Sequence, residues 1–246
     1  MQLEGKTAIV TGGASGFGAG IARGFAREGA EVLVADRNAD GARKLAEEIG
    51  GLSQEVEVSQ AESVNALHDR ALDAWPDVDI IVNNAGITHV RAPLEDVPED
   101  EFDAVFAVNA KSVFHMAKAF VPGMKARGAG AILNVASTAG LSPRPQLNWY
   151  NASKGWMITA TKTMAVELAP FGVRVNALAP VAGETPLLAS FMGEDSPEIR
   201  AKFLATIPIG RFSTPQDMAA ASVFLCSDAA SMITGAVLEV DGGRCI

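Results

Sequence analysis

Short runs of apolar and β-branched residues recur along the chain, each followed by glycine or polar punctuation and then by a segment of helical period. Seven strands are predicted at Thr7–Thr11, Glu31–Asp36, Gly51–Val56, Val78–Asn83, Ala131–Ser137, Arg174–Ala179 and Val237–Val240. Helical spacing fills the gaps at Gly16–Glu28, Ala39–Ile49, Ala61–Ala74, Glu99–Arg127, Trp149–Ala169 and Pro215–Ser227. Ala8-Ile9-Val10 and Ile80-Ile81-Val82 are apolar without alternation, the pattern of strands covered by helices on both faces. Strand and helix alternating in this way predict an α/β fold, a doubly wound parallel seven-stranded sheet between two helical layers. Residues 183–209 fit no strand. Pro186, Pro197 and Pro208 interrupt short apolar clusters there, so the stretch reads as a mobile loop outside the core that closes over a substrate.

No linker, charge block or internal repeat divides the 246 residues, which makes 1–246 one domain with a single sizeable core. Twenty-nine acidic residues against twenty basic ones give a formal charge of −9, which disfavours nucleic acid and anionic membrane as partners. Cys226 and Cys245 are the only cysteines, too few for a disulfide framework in a chain of this length. The start of the chain lacks the order of a signal peptide, and no apolar run approaches the ~20 residues of a membrane helix. The expected location is the cytoplasm.

The first predicted strand runs into Thr11-Gly12-Gly13-Ala14-Ser15-Gly16-Phe17-Gly18, and a helix follows. Glycines permit a tight turn and close approach of backbone to a pyrophosphate, while a helix N-terminus offers free N–H groups and partial positive charge. Gly12, Gly16 and Gly18, with Ser15 and Phe17 between them, form a G-x-x-x-G-x-G turn expected to hold a dinucleotide. A purely conformational role for these glycines is the competing reading. Asp36 ends the second strand, where a carboxylate can accept hydrogen bonds from an adenosine ribose and would repel a 2′-phosphate. Arg37 beside it is the kind of residue that accommodates that phosphate. The pair is read as favouring NAD over NADP.

Taken with these features, Asn83-Asn84-Ala85-Gly86, Asn109, Ser137, Tyr150-Asn151-Ala152-Ser153-Lys154 and Ile233-Thr234-Gly235 with Val240-Asp241-Gly242-Gly243 make the chain resemble the short-chain dehydrogenase/reductase family in its short single-domain form. The match runs the whole length. The resemblance implies a Rossmann-type fold, a nicotinamide cofactor, a small-molecule alcohol or carbonyl substrate, and a homotetramer formed through the two long helices and the carboxyl-terminal segment. It makes Tyr150 the general acid/base, with Ser137 on the same substrate oxygen, Lys154 tuning the phenol and holding the nicotinamide ribose, and Asn109 holding a water that leads from Lys154 to solvent. Physically, Tyr150 and Lys154 lie four residues apart, on one helical face. An unperturbed tyrosine titrates near ~10, and a neighbouring ammonium is expected to lower that value.

The resemblance also assigns cofactor contacts to Asn84, Ala85, Gly86, Pro180 and Thr185. Two positions depart from the family pattern. Val181 stands where a glycine usually follows Pro180, putting β-branched bulk beside the nicotinamide. Glu57-Val58 stands where an aspartate commonly caps the adenine pocket; the longer glutamate can reach the same amine. His68, His89 and His115 show no metal-ligand spacing, so no metal is expected. Arg91, Arg144, Gln146 and Trp149 flank the expected active face; Arg144 or Arg91 is either a solvated loop residue or a partner for an anionic substrate group. The activity expected is hydride transfer between NAD and a secondary alcohol or ketone. The alternatives are a 3-oxoacyl thioester reductase, which Asp36 disfavours, a methyltransferase, which the Ser137–Tyr150–Lys154 set makes unnecessary, and a dinucleotide sensor without turnover.

Overall fold

The computed structural model describes residues 1–192 and 196–246, with Ala189 described in its backbone alone. Seven strands, β1 (Thr7–Thr11), β2 (Glu31–Asp36), β3 (Leu52–Glu55), β4 (Ile80–Asn83), β5 (Gly130–Val135), β6 (Val173–Pro180) and β7 (Val237–Val240), form one sheet. Its order is β3-β2-β1-β4-β5-β6-β7 and every pairing is parallel. The strand order reverses between β1 and β4, and ligands of open α/β sheets bind beyond the strand ends at such a crevice.

The helices are α1 (Gly16–Arg27), α2 (Ala39–Ile49), α3 (Ala61–Ala74), α4 (Glu99–Phe106), α5 (Ser112–Arg127), α6 (Asn148–Leu168), α7 (Leu188–Met192), α8 (Pro197–Leu204) and α9 (Pro215–Cys226). The continuous apolar runs of the strands divide at period two into the two helical layers. Ala8, Val10, Val32, Val34, Ile80 and Val82 pack with α1, α2 and α9. Ile9, Leu33, Ile81, Ile132, Val173 and Val175 point the other way, against α3, α5 and α6.

The structure corrects the sequence reading in three places. β5 stops at Val135 rather than Ser137: the amide of Ala136 still donates to Leu178, but the Ser137 hydroxyl accepts from the Ala139 amide and starts a 3₁₀ turn. The helix expected over Glu99–Arg127 is interrupted by a π turn at Ala107–Lys111, which carries Asn109. The excursion 183–209 is not a structureless loop. It contains α7 and α8, and Leu188, Met192, Ile207 and Phe212 pack on Val181 as a small apolar cluster of their own. The remaining bounds agree to within two residues.

Candidate active site

Beyond the carboxyl ends of the strands lies a cavity of about 600 Å³. Its floor is the turn after β1. Gly12 has φ +61°, and a side chain there would put Cβ 2.8 Å from Ala85 Cα. Gly18 does not line the cavity; a Cβ on it would collide with the Gly12 carbonyl, so its contribution is to let α1 close onto the turn. The turn is fastened to the loop after β4. The Asn84 side-chain amide donates to the carbonyls of Thr11 (2.9 Å) and Gly12 (3.0 Å), while Thr11 Oγ1 accepts from the amides of Asn84 and Ala85. Ser15 is the N-cap of α1 but makes no side-chain capping bond, and the first turn of α1 carries no acidic residue. The helix end therefore keeps free N–H groups and its partial positive charge, which suits a diphosphate.

Asp36 and Arg37 line the cavity at the end of β2, with Glu57 and Val58 beside them. The Asp36 carboxylate accepts from the amides of Ala14 (3.0 Å) and Asn38 (2.9 Å), which holds it against the glycine turn. Glu57 folds back on Ser59, Oε1 accepting from its amide (3.1 Å) and hydroxyl (2.8 Å). Asn84, Ala85, Gly86, Pro180, Val181 and Thr185 line the opposite half. Val181 sits where the sequence departs from the family glycine; it is buried and anchors the cluster beneath α7, so its bulk has a structural use. Thr185 leans on Gly16, its Cγ2 lying 3.2 Å from where a Cβ would stand.

Ser137, Tyr150 and Lys154 meet on one wall. Tyr150 and Lys154 project from the first two turns of α6 and both are buried. The Lys154 ammonium donates to the Val135 carbonyl at 2.8 Å and lies 6.0 Å from the centre of the Tyr150 ring. The expectation that Lys154 lowers the phenol does not hold in this geometry. Burial pushes Tyr150 up to about 12, against a smaller opposing pull from the Ser137 hydroxyl. Burial also brings Lys154 down to about 8. Both charged forms are disfavoured for the same reason, removal from water.

Asn109 is fully buried and does not line the cavity. Its Oδ1 accepts from the Ile87 amide (2.9 Å), and its Nδ2 donates to the Ile87 carbonyl (2.9 Å) and the Ser153 hydroxyl (3.0 Å). It thus ties the loop after β4 to α6, next to the Lys154 ammonium, with both groups about 3.4 Å from a notional Cβ on Gly86. Of the four residues expected to flank the site, Arg91 and Arg144 line the cavity. Gln146 binds Arg91, and Trp149 turns away to the Leu94 carbonyl and the edge of Phe102.

Sequence reasoning missed Phe191, whose ring lies 5.1 Å from that of Tyr150, and Arg244, which follows β7. The latter was foreshadowed only by the position of Val240-Asp241-Gly242-Gly243 after the last strand. One group among the described residues has metal-like proximity, Glu239, Asp241 and Cys245, with ligand atoms within 4.8 Å. Asp241 already accepts from the amides of Gly243 and Cys245, and the Cys245 thiol, pushed up to about 11 first by burial and then by Asp241, is a poor ligand.

The profile of a family described as enoyl-(acyl carrier protein) reductase matches residues 12–244. The 4-formylbenzenesulfonate dehydrogenase of Comamonas testosteroni is 50% identical over 99% of this chain and 99% of that protein. A glycine-rich turn, a Ser–Tyr–Lys wall and full-length relatives of this kind decide the family. The chain belongs to the short-chain dehydrogenase/reductase family. Two solved members of this family bear on the cofactor. The 3-ketoacyl-(acyl-carrier-protein) reductase of Brucella melitensis, solved with NADH, is 48% identical, covers 99% of this chain and 100% of its own, and superposes with a TM-score of 0.95. A Beutenbergia cavernae protein, provisionally described as an NAD(P) dependent gluconate 5-dehydrogenase, carries NADP at low occupancy; it is 39% identical, with 99% and 98% coverage and a TM-score of 0.91. The protein is thus an oxidoreductase of the short-chain dehydrogenase/reductase type, and the glycine cradle and unneutralised α1 terminus fit a nicotinamide dinucleotide.

Proposed function

We infer that the protein is an NAD-dependent oxidoreductase interconverting a secondary alcohol and a ketone. The observation carrying this reading is that Tyr150, Ser137 and Lys154 share one wall of the cavity whose floor is the glycine turn. Gly12, Ser15, Gly16 and Phe17 would hold the diphosphate, Asp36 and Arg37 the adenosine ribose, and Glu57 with Val58 the adenine. Asn84, Ala85, Gly86, Pro180, Val181 and Thr185 would frame the nicotinamide. When bound, that ring supplies or accepts the hydride and, oxidised, adds a positive charge that favours a phenolate.

Tyr150 does the proton chemistry. With its phenol pushed up to about 12 it stays protonated at neutral pH, the form needed to donate a proton to a carbonyl oxygen during reduction. In the oxidative direction it removes the proton from the alcohol. Ser137 hydrogen-bonds the same oxygen and holds the reacting carbon in place. Lys154, anchored on Val135, binds the ribose and exchanges protons with Tyr150, and its value of about 8 lets it do so near neutrality. Asn109 positions the Ile87 loop and would hold a water that leads from Lys154 to solvent.

Asp36 supports NAD, since its carboxylate is fixed where a 2′-phosphate would meet like charge. A second reading, a 3-oxoacyl thioester reductase, is favoured by the Brucella neighbour, which is described as a 3-ketoacyl-(acyl-carrier-protein) reductase and was solved with NADH. Parallel assays of NAD and NADP reduction over secondary alcohols, polyols, sugars, hydroxy acids and 3-hydroxyacyl thioesters test both. Turnover of a small alcohol with NAD is expected. Activity confined to thioesters establishes the second reading, and dinucleotide binding with no turnover makes the protein a sensor. Exposed Phe114, Trp156, Val166 and Met232 support assembly into a homotetramer through α5, α6 and the carboxyl-terminal region, checked by light scattering. Among the described residues no helix is long and apolar enough to cross a membrane. The cytoplasm is the proposed location, tested by cell fractionation.

A further inference from the structure

The acidic residues lining the cavity, Asp36 and Glu57, both lie at the end below β2 and β3. Among the described residues the wall beyond Tyr150 carries instead Arg91, Arg144, Lys202 and Arg244, and no carboxylate. These cations are not equivalent. Arg91 is committed: Nη2 donates to Gln146 Oε1 at 3.1 Å, and Nη1 approaches the carbonyls of Phe191 and Met192 at 3.4 and 3.5 Å. Gln146 makes this bond from a left-handed backbone, φ +66°, unusual for a residue with a side chain. Lys202 is exposed on α8.

Arg144 and Arg244 are the uncommitted pair. Neither side chain has a hydrogen bond or ion pair with any described residue, and Arg144 Nη2 is buried with no partner. The Asn151 side chain donates to the Arg144 carbonyl at 2.7 Å, which fixes this arginine to the residue following Tyr150. Burial first, and then the charge of Arg244, pulls the Arg144 guanidinium below its usual value. The neighbouring Cys245 thiol, pushed up to about 11, is neutral at pH 7 and provides no counter-charge. The Asp241 carboxylate nearby is taken by backbone amides. Two like charges in a partly buried wall are unfavourable until an anion joins them, and a guanidinium fork matches the oxygens of a carboxylate or sulfonate.

We propose that Arg144, with Arg244 beside it, binds an anionic oxyacid group of the substrate, so that the enzyme selects hydroxy or oxo compounds bearing a carboxylate or sulfonate. The proposal rests on Tyr150 and Ser137 being the reacting centre. Arg91 serves as a strut between the loop at Gln146 and the end of α7 rather than as a ligand.

Two matched pairs of different length test it: 3-hydroxybutyrate with its methyl ester, and 4-(1-hydroxyethyl)benzoate with its methyl ester, oxidised with NAD. In at least one pair the acid is expected to exceed the ester by roughly 100-fold in kcat/KM. Arg144→Gln removes about that factor from the acid, chiefly through KM, and leaves the ester within about twofold. Arg144→Lys keeps the charge without the fork and recovers part of the loss. Equal rates for acid and ester in both pairs overturn the proposal, as does an Arg144→Gln loss shared equally by acid and ester. Should no alcohol turn over at all, the reading of the reacting centre fails separately, and calorimetric titration of 4-acetylbenzoate and benzenesulfonate into the protein with NADH decides the anion site. Saturable binding lost in Arg144→Gln supports it; no binding overturns it.

Discussion

The turn after β1 and the segment after β6 face one another across the cavity, yet they are held by different forces. The turn is fastened by main-chain hydrogen bonds and by the Asn84 and Asp36 side chains, which bind backbone amides or carbonyls of the turn itself. The segment is held chiefly by apolar volume, Leu188, Met192, Ile207 and Phe212 on Val181, with polar ties at its ends and rim: the bridge between Gly183 and Ser213, the Ile209 amide on the Gly242 carbonyl and Arg91 on the carbonyls of Phe191 and Met192. A site made from backbone groups admits little change in sequence and serves a ligand common to many enzymes. A site carried on an apolar cluster keeps its shape while its rim residues change, which suits recognition of one particular substrate.

The largest effect expected on either side is at Tyr150. Tyr150→Phe removes the proposed proton carrier but little volume, and kcat is expected to fall by about 10³-fold with NADH affinity, read by fluorescence titration, nearly unchanged. The two regions separate more sharply in a paired test. Gly18→Val drives a side chain into the Gly12 carbonyl and is expected to cost about 4 kcal/mol or more and to abolish NADH binding, measured by urea unfolding and titration. Phe212→Ala loosens the apolar cluster, so it should raise substrate KM while NADH binding, which reaches the cluster only through Val181, is weakened far less. Loss of NADH binding in both variants would mean that the two regions are one unit.

Lys154 gives a smaller, pH-dependent effect. Its folded value of about 8 lies below the ordinary 10.5, so between those values the unfolded chain binds the extra proton and wild-type stability gains as pH rises. Below about pH 8 the full penalty is present. Lys154→Met should therefore have its greatest relative stability at pH 7 and lose that advantage by pH 10, seen in unfolding curves at several pH values. Tyr150, raised from 10.0, works in the opposite sense above pH 10 and is common to both proteins. Smallest is Asp36→Asn, which should move the NAD to NADP ratio of kcat/KM by about 10-fold towards NADP, with Arg37 left to meet the phosphate.

Much of the first region was readable from sequence because its demands fall on residue types. Only glycine satisfies the approaches at Gly12 and Gly18, and their spacing survives as text. Tyr150 and Lys154 were readable because one helical turn joins them. The second region was not. Phe191 comes to the cavity by packing on Ala139, Leu147 and Tyr150, and Arg244 through the pairing of β7 with β6, neither of which has a local signature. The fate of Arg91 depended on Gln146 adopting a left-handed backbone, which a glutamine does not announce. The direction of the shift at Tyr150 was misjudged because proximity in sequence says nothing about burial, and burial outweighs the pull of the Ser137 hydroxyl.

The π turn at Ala107–Lys111 has a consequence for how the helix around it can vary. Each residue of an α-helix advances the side-chain direction by roughly 100°, so one residue accommodated in a widened turn resets the rotational phase of everything after it. With that offset, α4 meets Trp149 through Phe102 while α5 presents Met116, Phe120 and Met124 to the sheet. Winding the same residues into regular helix would swing the whole apolar stripe of α5 towards water, whereas deleting one residue within the widened turn would leave the stripe in phase. A single-residue deletion in the regular part of α5 would act on all the contacts beyond it at once, whereas the π turn is where the helix can lose a residue and keep its faces.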